Sequence, residues 1–563
     1  MKTHHTVKII IISVGTLLFI TGICFYSIAF LPHQRNSFEV RKQIPLDSIR
    51  LSDPFIPANV STWGSWEKWG AQSDGTYHNP VLPADFSDLD CIRVGDDYYA
   101  ITSTMQYSPG MAVLHSKDLV NWDIISHAVE DIRQIGPELN WDSMNRYGRG
   151  IWAGSIRYRD GKFFVLFGAP DEGFFTTYAD NPAGPWAPLT TLLAEAGWND
   201  CSAIWDDDGK AYFIGNKFKD RLYENYIFDM ATDCSSIDFE SRQLVFQGDG
   251  REAAKLIKVG KWYYIIYSRT GGGSRYMAAK RAESMQGPWS EEKQITALNR
   301  ESNEPNQGGI VEGPDGKWYF FTHHGRGEWE GRAASLLPVS WIDGWPIPGK
   351  VGEDGLGYMS WSGKMPTQIE RKQKSFRDNF DGTSLNDNWE WNYYPRNDRW
   401  SLSEREGWLR LQAVKPLRDN DLKKTPNIIT QRLYRSNHNE ITVKMDVRNM
   451  AEEQIAGLCH YARTYVYLGV SCINGETKIV FNENGVSQAK DINNAKDIWL
   501  RSIWGLNGIN RFSYSTDGTD FYEFGNPYPF AWADYRGTRV GLFTFNKEEK
   551  GYVDIDYFAY EIH

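Results

Sequence analysis

The chain has 563 residues, a formal net charge of −11 and a high aromatic content, with 23 Trp and 30 Tyr. This length is too great for one ordinary domain and predicts two or three. The acidic balance disfavours nucleic acid and anionic membrane surfaces as partners, and a neutral ligand fits better. The many aromatic rings suit an all-β protein that binds carbohydrate, because sugar C–H faces stack on aromatic rings.

The first predicted element is an apolar run over residues 7–31, with Lys2 near its start. As a helix it would span roughly 37 Å, enough for a bilayer core of about 30 Å. The run is long for a cleaved signal peptide, whose apolar region is usually about 7–15 residues, but Ser27-Ile28-Ala29 offers a small-residue cleavage site. Residues 1–31 are therefore predicted to be a signal peptide or a membrane anchor. We expect an exported protein (periplasmic, cell-surface or extracellular) that contacts the membrane only through this helix, and only if it is uncleaved.

Residues 32–75 are polar, contain scattered Pro and are predicted to be a linker and lead-in. Beyond them a short phrase recurs, each time as an aromatic, β-branched strand that follows a tight turn. Its copies cover residues 97–101, 162–166, 210–214, 261–265 and 317–321. Their spacing of roughly 49–65 residues is in the range of propeller blades. Residues 76–361 are therefore predicted to form a five-bladed β-propeller.

The repeat brings a set of polar residues into phase. About ten or eleven residues before each copy, on the strand predicted to be innermost, lie Asp88, Trp152, Asp200, Glu252 and Asn306-Gln307. A propeller would gather these positions at one end of its central channel. Two carboxylates across a channel suffice to hydrolyse a glycosidic bond, one as proton donor and the other as nucleophile or as base toward water. A third carboxylate raises the pKa of the acid. From spacing alone, three acids on one axis also suit a hard cation.

The C-terminal part, residues 376–563, consists of short stretches of strict polar and apolar alternation between turn clusters. This pattern predicts an antiparallel β-sandwich. Asp378, Asp381 and Asp556 lie where the end of such a sandwich could share a structural Ca²⁺. Turn-capping carboxylates are the alternative interpretation of the same three residues.

Several stretches inside the predicted propeller form a specific set. They are Asn79-Pro80-Val81-Leu82, Phe86-Ser87-Asp88-Leu89-Asp90, His115-Ser116-Lys117-Asp118, Asn199-Asp200-Cys201-Ser202 and Glu252-Ala253-Ala254-Lys255. Together they resemble glycoside hydrolase family 43, of the β-xylosidase and α-L-arabinofuranosidase type. The C-terminal part is similar to the concanavalin-like sandwich appended to the family's β-xylosidases. The resemblance implies a five-bladed propeller and an inverting mechanism.

The resemblance also implies roles for the three carboxylates. By motif, Asp88 is similar to the general base, Glu252 to the general acid, and Asp200 to the acid that tunes Glu252 and orients the sugar. Inversion requires the base and acid carboxyl groups to lie roughly 6.5–9.5 Å apart, which leaves space for a water.

Four further residues are expected to bind the substrate. Trp152 is expected to form a wall of the sugar pocket, with core packing as the alternative. Arg332 resembles the arginine that contacts the bound sugar, with a surface salt bridge as the alternative. Met105 and Gln307 complete the predicted substrate-binding set.

Four departures from the family pattern bear on substrate preference and cation binding. Leu89 replaces a common Pro after the base, and Met105 replaces a common aromatic residue. Ala253-Ala254-Lys255 replaces the more frequent Gly-Pro-His after the acid. Asn306 occupies what is often a histidine that helps to hold a central hydrated calcium. None of these changes removes a carboxylate, so no cofactor is expected to be required, and a structural Ca²⁺ is left open.

The predicted function is an inverting exo-glycosidase. It would remove terminal β-D-xylosyl or α-L-arabinofuranosyl residues from plant polysaccharides or oligosaccharides. An endo-arabinanase would need an open groove, and a loop of the sandwich is instead expected to close one side of the pocket. A carbohydrate-binding or sensor protein that lost catalysis is the alternative, motivated by the departures after Asp88 and Glu252 and opposed by the intact carboxylates.

Overall fold

A computed structural model describes residues 66–219, 222–271, 274–298, 305–367, 374–419, 421–533 and 536–563. The predicted signal or anchor segment, residues 1–31, lies outside the described residues. Among the residues that are described, no helix is long and apolar enough to cross a membrane. The all-β prediction is confirmed, because the helical elements of the described chain are single 3-10 turns. These turns are Trp66–Lys68, Ile132–Gln134, Pro137–Leu139, Asn397–Arg399 and Leu422–Lys424.

Two short strands, β1 (Gly70–Ala71) and β2 (Thr76–His78), lead into five four-stranded antiparallel sheets of the described chain. The first sheet contains β3 (Asp90–Val94), β4 (Asp97–Thr102), β6 (Gly110–Ser116) and β7 (Asp123–Val129), while β5 (Tyr107–Ser108) pairs elsewhere. The second contains β8 (Gly154–Arg159), β9 (Lys162–Ala169), β10 (Gly173–Ala179) and β11 (Thr190–Leu193). The third contains β12 (Trp198–Trp205), β13 (Ala211–Lys219), β14 (Leu222–Met230) and β15 (Ile237–Asp249). The fourth contains β16 (Arg251–Val259), β17 (Trp262–Gly271), β18 (Ser274–Ala282) and β19 (Lys293–Gln294), and the fifth β20 (Gly308–Glu312), β21 (Trp318–Glu328), β22 (Gly331–Ile342) and β23 (Trp345–Pro348).

The repeated phrase of the sequence forms the second strand of each sheet. Its alternating side chains point to opposite faces, as a pleated strand requires. On β9, Val165 and Phe167 pack into one core cluster, whereas Phe164 and Leu166 pack into the next. Each sheet is therefore buried on both faces between its neighbours, which explains why the phrase is a continuous apolar run.

The five sheets form a closed ring, which we call the sheet ring. The first strands β3, β8, β12, β16 and β20 pack side by side, and β20 also packs on β3. Gly309 allows this closure, since a Cβ atom there would lie 2.3 Å from the backbone nitrogen of Cys91. The in-phase residues Asp88, Trp152, Asp200, Glu252 and Asn306-Gln307 consequently stand at or just before the start of these first strands.

The remaining strands of the described chain form two small sheets and a two-layer sandwich. In chain order they are β24 (Lys350–Val351), β25 (Gly357–Tyr358), β26 (Ser362–Lys364), β27 (Phe376–Asp378), β28 (Glu390–Asn392), β29 (Trp400–Ser401), β30 (Leu409–Gln412), β31 (Ile429–Arg432), β32 (Asn439–Asp446), β33 (Ile455–Tyr461), β34 (Tyr465–Ile473), β35 (Glu476–Glu483), β36 (Val486–Asp491), β37 (Asp497–Trp504), β38 (Ile509–Ser515), β39 (Tyr522–Glu523), β40 (Tyr528–Pro529), β41 (Arg539–Phe545) and β42 (Tyr552–Ile562). Strand β24 pairs with β25, and β26 pairs with β2 of the lead-in.

The sandwich packs a nine-stranded sheet against an eight-stranded one. The first has the order β29-β30-β42-β32-β37-β38-β39, with β27 on β42 and β40 on β38. The second has the order β36-β35-β34-β33-β41-β31-β28-β5. Alternate residues of β32 are buried, as the sequence pattern predicts. Ile441 and Val443 of the first sheet share a core with Leu458 and Leu542 of the second.

The two parts of the chain are joined through a strand of the ring segment. β5 pairs with β28 of the sandwich, with Trp391 opposite Ser108 and Asn392 opposite Tyr107. The sequence-based boundaries place Tyr107–Ser108 wholly in the N-terminal domain, but its backbone extends the eight-stranded sheet. A two-residue strand has no periodicity, so nothing in the sequence marks this junction.

Candidate active site

A cavity of about 190 Å³ lies where the first strands of the sheet ring begin. Its wall carries every predicted catalytic and substrate-binding residue, namely Asp88, Asp200, Glu252, Met105, Trp152, Gln307 and Arg332. The structure therefore brings together residues that are far apart in sequence. Five further residues of the wall had no predicted role, namely Ala153, Asn199, Phe218, Tyr223 and Arg275.

Asp88 is buried and held from three sides. Arg332 donates to both carboxylate oxygens, at 2.8 Å and 3.2 Å. The Ser103 hydroxyl donates to Oδ2 at 2.6 Å, and the Asp88 backbone N–H donates to Nδ1 of His323 at 2.8 Å. The backbone of Asp88 has a φ of 56°, a conformation that non-glycine residues rarely adopt. The carboxylate is therefore fixed in position by its partners.

Burial alone would raise the pKa of Asp88, but the Arg332 guanidinium, with smaller contributions from His323, the Ser103 hydrogen bond and the Arg536 guanidinium, lowers that pKa below its usual value. Burial lowers the pKa of His323 well below its usual range. His323 is therefore neutral at neutral pH and accepts at Nδ1. Asp88 is ionised at neutral pH, as a base must be.

Asp200 and Glu252 form the second half of the site. Burial, together with the nearby carboxylates of Glu252 and Asp88, raises the pKa of Asp200 to about 7. The backbone N–H of Ala253 donates to Asp200 Oδ2 at 2.8 Å and fixes that carboxyl group beside Glu252. Asp200 therefore holds a proton up to about neutral pH, next to an ionised Asp88.

Arg275 was not predicted from the sequence. Its guanidinium lies on β18 and donates to Oε1 of Glu252 at 2.6 Å. The contact orients the Glu252 carboxyl group. The sequence offered no signal for Arg275, because it lies on a third strand, outside the in-phase positions.

Aromatic rings form one wall of the cavity. Trp152 is half-buried, and its indole N–H donates to the Gly148 carbonyl at 3.1 Å. Phe218 meets the Trp152 ring edge-on, with centroids 6.3 Å apart, and packs against Tyr223 at 4.7 Å. Phe218 and Tyr223 come from the facing strands β13 and β14. Such rings suit the C–H face of a sugar.

The structure shows the surroundings of two predicted residues, Arg332 and Met105. Arg332 is not a surface salt-bridge partner, since it is largely buried and pairs with Asp88 inside the cavity. Met105 is buried in the wall, with a φ of 54°. The predicted closing loop of the sandwich is absent from the wall, whose described lining residues all belong to the sheet ring.

The residues around the central channel do not fit the calcium that the family pattern implies. A larger cavity of about 540 Å³ lies along β3, β16 and β20, and the side chains of Lys255 and Arg157 line it. The Lys255 side chain is 4% exposed and its ammonium group donates to the Gly154 carbonyl. Arg157 donates to Asp90 at 2.6 Å. Nε2 of His323 carries the ring proton, because Nδ1 accepts a hydrogen bond, so Nε2 cannot bind a cation.

The predicted calcium ligands of the sandwich are not brought together either. Asp378 accepts hydrogen bonds from the Phe380 N–H and the Trp389 indole, and Asp556 pairs with Lys444 at 2.6 Å. The described residues contain no group of three or more His, Cys, Asp or Glu side chains that could hold a metal ion. Among the described residues, Asp378, Asp381 and Asp556 are therefore not grouped as a cation site. The turn-capping alternative describes Asp378.

Two family profiles match the chain in succession. Glycosyl hydrolases family 43 matches residues 77–346, and the β-xylosidase C-terminal concanavalin A-like domain matches residues 377–561. These two matches cover the sheet ring and the sandwich, respectively.

Individual relatives match both parts at once. A β-xylosidase of Formosa agariphila is 33% identical, with 88% of this chain and 91% of that protein covered. The non-reducing end α-L-arabinofuranosidase BoGH43B of Bacteroides ovatus is 31% identical over 62% of this chain and 68% of that protein. The crystal structure of the GH43 protein BlXynB from Bacillus licheniformis superposes with a TM-score of 0.74 at 26% identity, covering 87% of this chain and all of that one.

Proposed function

The chain belongs to glycosyl hydrolase family 43 and is a glycosidase, and from this premise we propose that it releases single terminal β-D-xylosyl or α-L-arabinofuranosyl units with inversion. In this proposal the sheet ring is a five-bladed propeller. The observation that carries the proposal is the cavity lined by an ionised Asp88, by Asp200 with its pKa raised to about 7, and by Glu252. The relatives named β-xylosidase and α-L-arabinofuranosidase support the choice of sugars.

The proposed mechanism uses each carboxyl group once. Asp88, held ionised by Arg332 and Ser103, takes a proton from a water that attacks the anomeric carbon. Glu252 donates its proton to the leaving glycosidic oxygen. Asp200, whose pKa is raised to about 7, is the group from which Glu252 receives that proton before the reaction. Water addition and bond cleavage occur on opposite faces of the sugar, which inverts the anomeric centre.

The size of the cavity supports exo cleavage. Its volume of about 190 Å³ is below the ~300–1,000 Å³ of a typical drug-sized pocket. This space suits one pentose ring rather than an extended chain. It argues against an endo-arabinanase, and the family membership with all three carboxylates in place argues against a binding protein without catalysis.

The function is tested with p-nitrophenyl β-D-xylopyranoside, p-nitrophenyl α-L-arabinofuranoside and xylobiose. We expect turnover of at least one glycoside, and the faster substrate identifies the preferred sugar. Proton NMR during β-xyloside hydrolysis is expected to detect α-xylose before its β anomer accumulates through mutarotation. First release of β-xylose would contradict inversion, and release of oligosaccharides without free pentose from longer chains would contradict exo cleavage.

We also propose that catalysis needs no metal ion. The support is the buried Lys255 ammonium and Arg157 guanidinium in the central channel, whose charges oppose a divalent cation. Dialysis against EDTA is expected to leave kcat, KM and Tm unchanged, and added Ca²⁺ is expected to have no effect. Loss of activity or of thermal stability that Ca²⁺ restores, but Na⁺ at equal ionic strength does not, would contradict this proposal.

Export of the protein is a further part of the proposed function. It is supported by the apolar run over residues 7–31 that follows Lys2. The sugars proposed as substrates occur in extracellular plant polysaccharides, which makes an exported enzyme consistent with its substrate.

A further inference from the structure

The catalytic base is surrounded by contacts that lead into the sandwich. Arg536, in the segment just before β41, is 1% exposed. It donates to the Ser103 carbonyl at 3.1 Å and pairs with Asp85 at 2.8 Å. Ser103 is the residue whose hydroxyl binds Asp88, and Asp85 precedes Asp88 by three positions. One side chain of the sandwich therefore contacts residues both before and after the base in the sequence.

Asp85 connects Arg536 to the segment that carries the base. Its Oδ1 accepts a hydrogen bond from the Ser87 hydroxyl at 2.7 Å. The Ser87 carbonyl in turn accepts from the Ser103 backbone N–H at 3.1 Å and from the Thr102 hydroxyl at 2.7 Å. Arg536, Asp85, Ser87 and Ser103 thus form a closed circuit around Asp88, made of buried hydrogen bonds and of the Arg536–Asp85 ion pair.

A second connection runs through the hairpin that carries Arg332. Trp329, at the tip between β21 and β22, is buried in the hydrophobic core of the sandwich. The Thr538 N–H of the sandwich donates to the Trp329 carbonyl at 2.7 Å. Gly331 and Gly537 make the approach possible, since a Cβ atom on Gly331 would lie 2.4 Å from the nitrogen of Gly537. Arg332 follows directly, so the sandwich also fixes the partner of the base.

The interface around Arg536 is a buried ionic cluster with excess positive charge. Asp85 and Glu390 supply two carboxylates, and Arg432, Arg536 and Arg539 supply three guanidinium groups. Each of these side chains is at most 4% exposed. Buried charges are strongly coupled to neighbouring charges because water does not screen them. The positive charge of Arg536 therefore acts on the nearby carboxylate of Asp88.

Resting on the proposed function, in which Asp88 is the general base, we propose that Arg536 is a positioning residue for Asp88 and that the sandwich is thereby part of the catalytic apparatus. Arg536 touches neither the cavity nor the sugar. It acts through Ser103 and Asp85, which set the orientation of the base, and through its charge, which favours the ionised carboxylate.

Several charged and polar groups face Asp88, and the test must separate the effect of Arg536 from theirs. Arg332 of β22, Ser103 after β4 and His323 of β21 contact it directly. Gln307 before β20 approaches at 3.5 Å, Asp200 of β12 opposes its charge, and Arg536 reaches it from the sandwich. Removal of Arg536 leaves the other groups in place.

The test uses the full chain with Arg536→Gln. We expect kcat to fall by about 10- to 100-fold with KM almost unchanged, because a misplaced base slows chemistry without removing sugar contacts. The acid limb of the kcat/KM profile should move up by about one pH unit, because the carboxylate loses a nearby opposite charge. Arg536→Lys keeps the charge but cannot reach both partners in a fork, so it should retain the acid limb and lower kcat.

Arg539→Gln is the matched control. Arg539 belongs to the same buried cluster and pairs with Glu390 at 2.8 Å and Asp85 at 3.7 Å. It is expected to lower Tm as Arg536→Gln does, while its acid limb stays with that of the wild type. The proposal is overturned if Arg536→Gln keeps the wild-type kcat and acid limb, or if Arg539→Gln shifts the limb equally. If Arg536→Gln does not fold, Arg536→Lys decides, and wild-type kcat in that variant overturns the proposal.

A measurement independent of turnover separates this inference from the proposed function. The ¹³C NMR titration of the Asp88 carboxyl carbon, assigned with Asp88→Asn, reads its pKa in the wild type and in Arg536→Gln. An upward shift in the variant supports the role of Arg536 even if none of the tested glycosides is hydrolysed. No shift overturns it even if the wild type is an active glycosidase.

Discussion

Replacing Asp88 by Asn is expected to lower kcat/KM by about 10⁴-fold, the upper end of the contribution of a general base. Asn keeps the shape of the side chain, and its one amide oxygen can still accept from Ser103 and from one N–H of Arg332, but Asn cannot take a proton from water. The loss should be the same for good and poor leaving groups, because the base acts on water and not on the departing oxygen. Initial rates on aryl β-D-xylosides and α-L-arabinofuranosides measure it.

The pH dependence of wild-type activity is a second test of Asp88 as the general base. Activity requires an ionised Asp88, whose pKa lies below its usual value of 3.8, so the acid limb of kcat/KM should lie below that pH. Activity also requires the proton that Asp200 holds up to about pH 7, so the basic limb should lie near that pH. Asp88→Asn should remove the acid limb from its residual activity. A rate loss below tenfold, in a variant with the wild-type Tm, would show that Asp88 is not the base.

The sequence predicts the sheet ring and the catalytic carboxylates for one physical reason, which is periodicity. The recurrence of the aromatic phrase after a tight turn places the second strand of each sheet, and a constant offset from it places Asp88, Asp200 and Glu252 at equivalent starts of first strands. Residues that act at equivalent positions of a repeat are visible in the sequence before any contact is known.

Residues that reach the site from other strands of the ring or from the sandwich could not be predicted from the sequence. Phe218 and Arg275 lie on second and third strands, far from the in-phase positions. Arg536 lies in the other domain, and its two contacts join residues more than four hundred positions apart. The separate contacts of the predicted calcium ligands could not be predicted from the sequence either. Lys444 pairs with Asp556, and the Trp389 indole donates to Asp378, only in the folded sheet.

Glu252→Gln is expected to lose activity in proportion to the basicity of the leaving group. Gln cannot donate an acidic proton, so glycosides with poor leaving groups, such as xylobiose, should lose about 10⁴-fold in kcat/KM. A 2,4-dinitrophenyl glycoside leaves without protonation and should lose less than tenfold. A series of substituted phenyl xylosides measures the slope of log(kcat/KM) against leaving-group pKa, which should be much steeper in the variant than in the wild type.

The pH dependence of Glu252→Gln gives a second, independent readout. With an activated leaving group the reaction no longer needs a proton from the Asp200–Glu252 pair, so the fall in rate above about pH 7 should disappear. Asp88→Asn is the matched control, since it removes a carboxylate from the same cavity but should leave the leaving-group slope unchanged. An equal loss for all leaving groups in Glu252→Gln would assign the proton donor to Asp200 instead, whose raised pKa makes it the only other carboxyl group of the described cavity able to hold a proton near neutral pH.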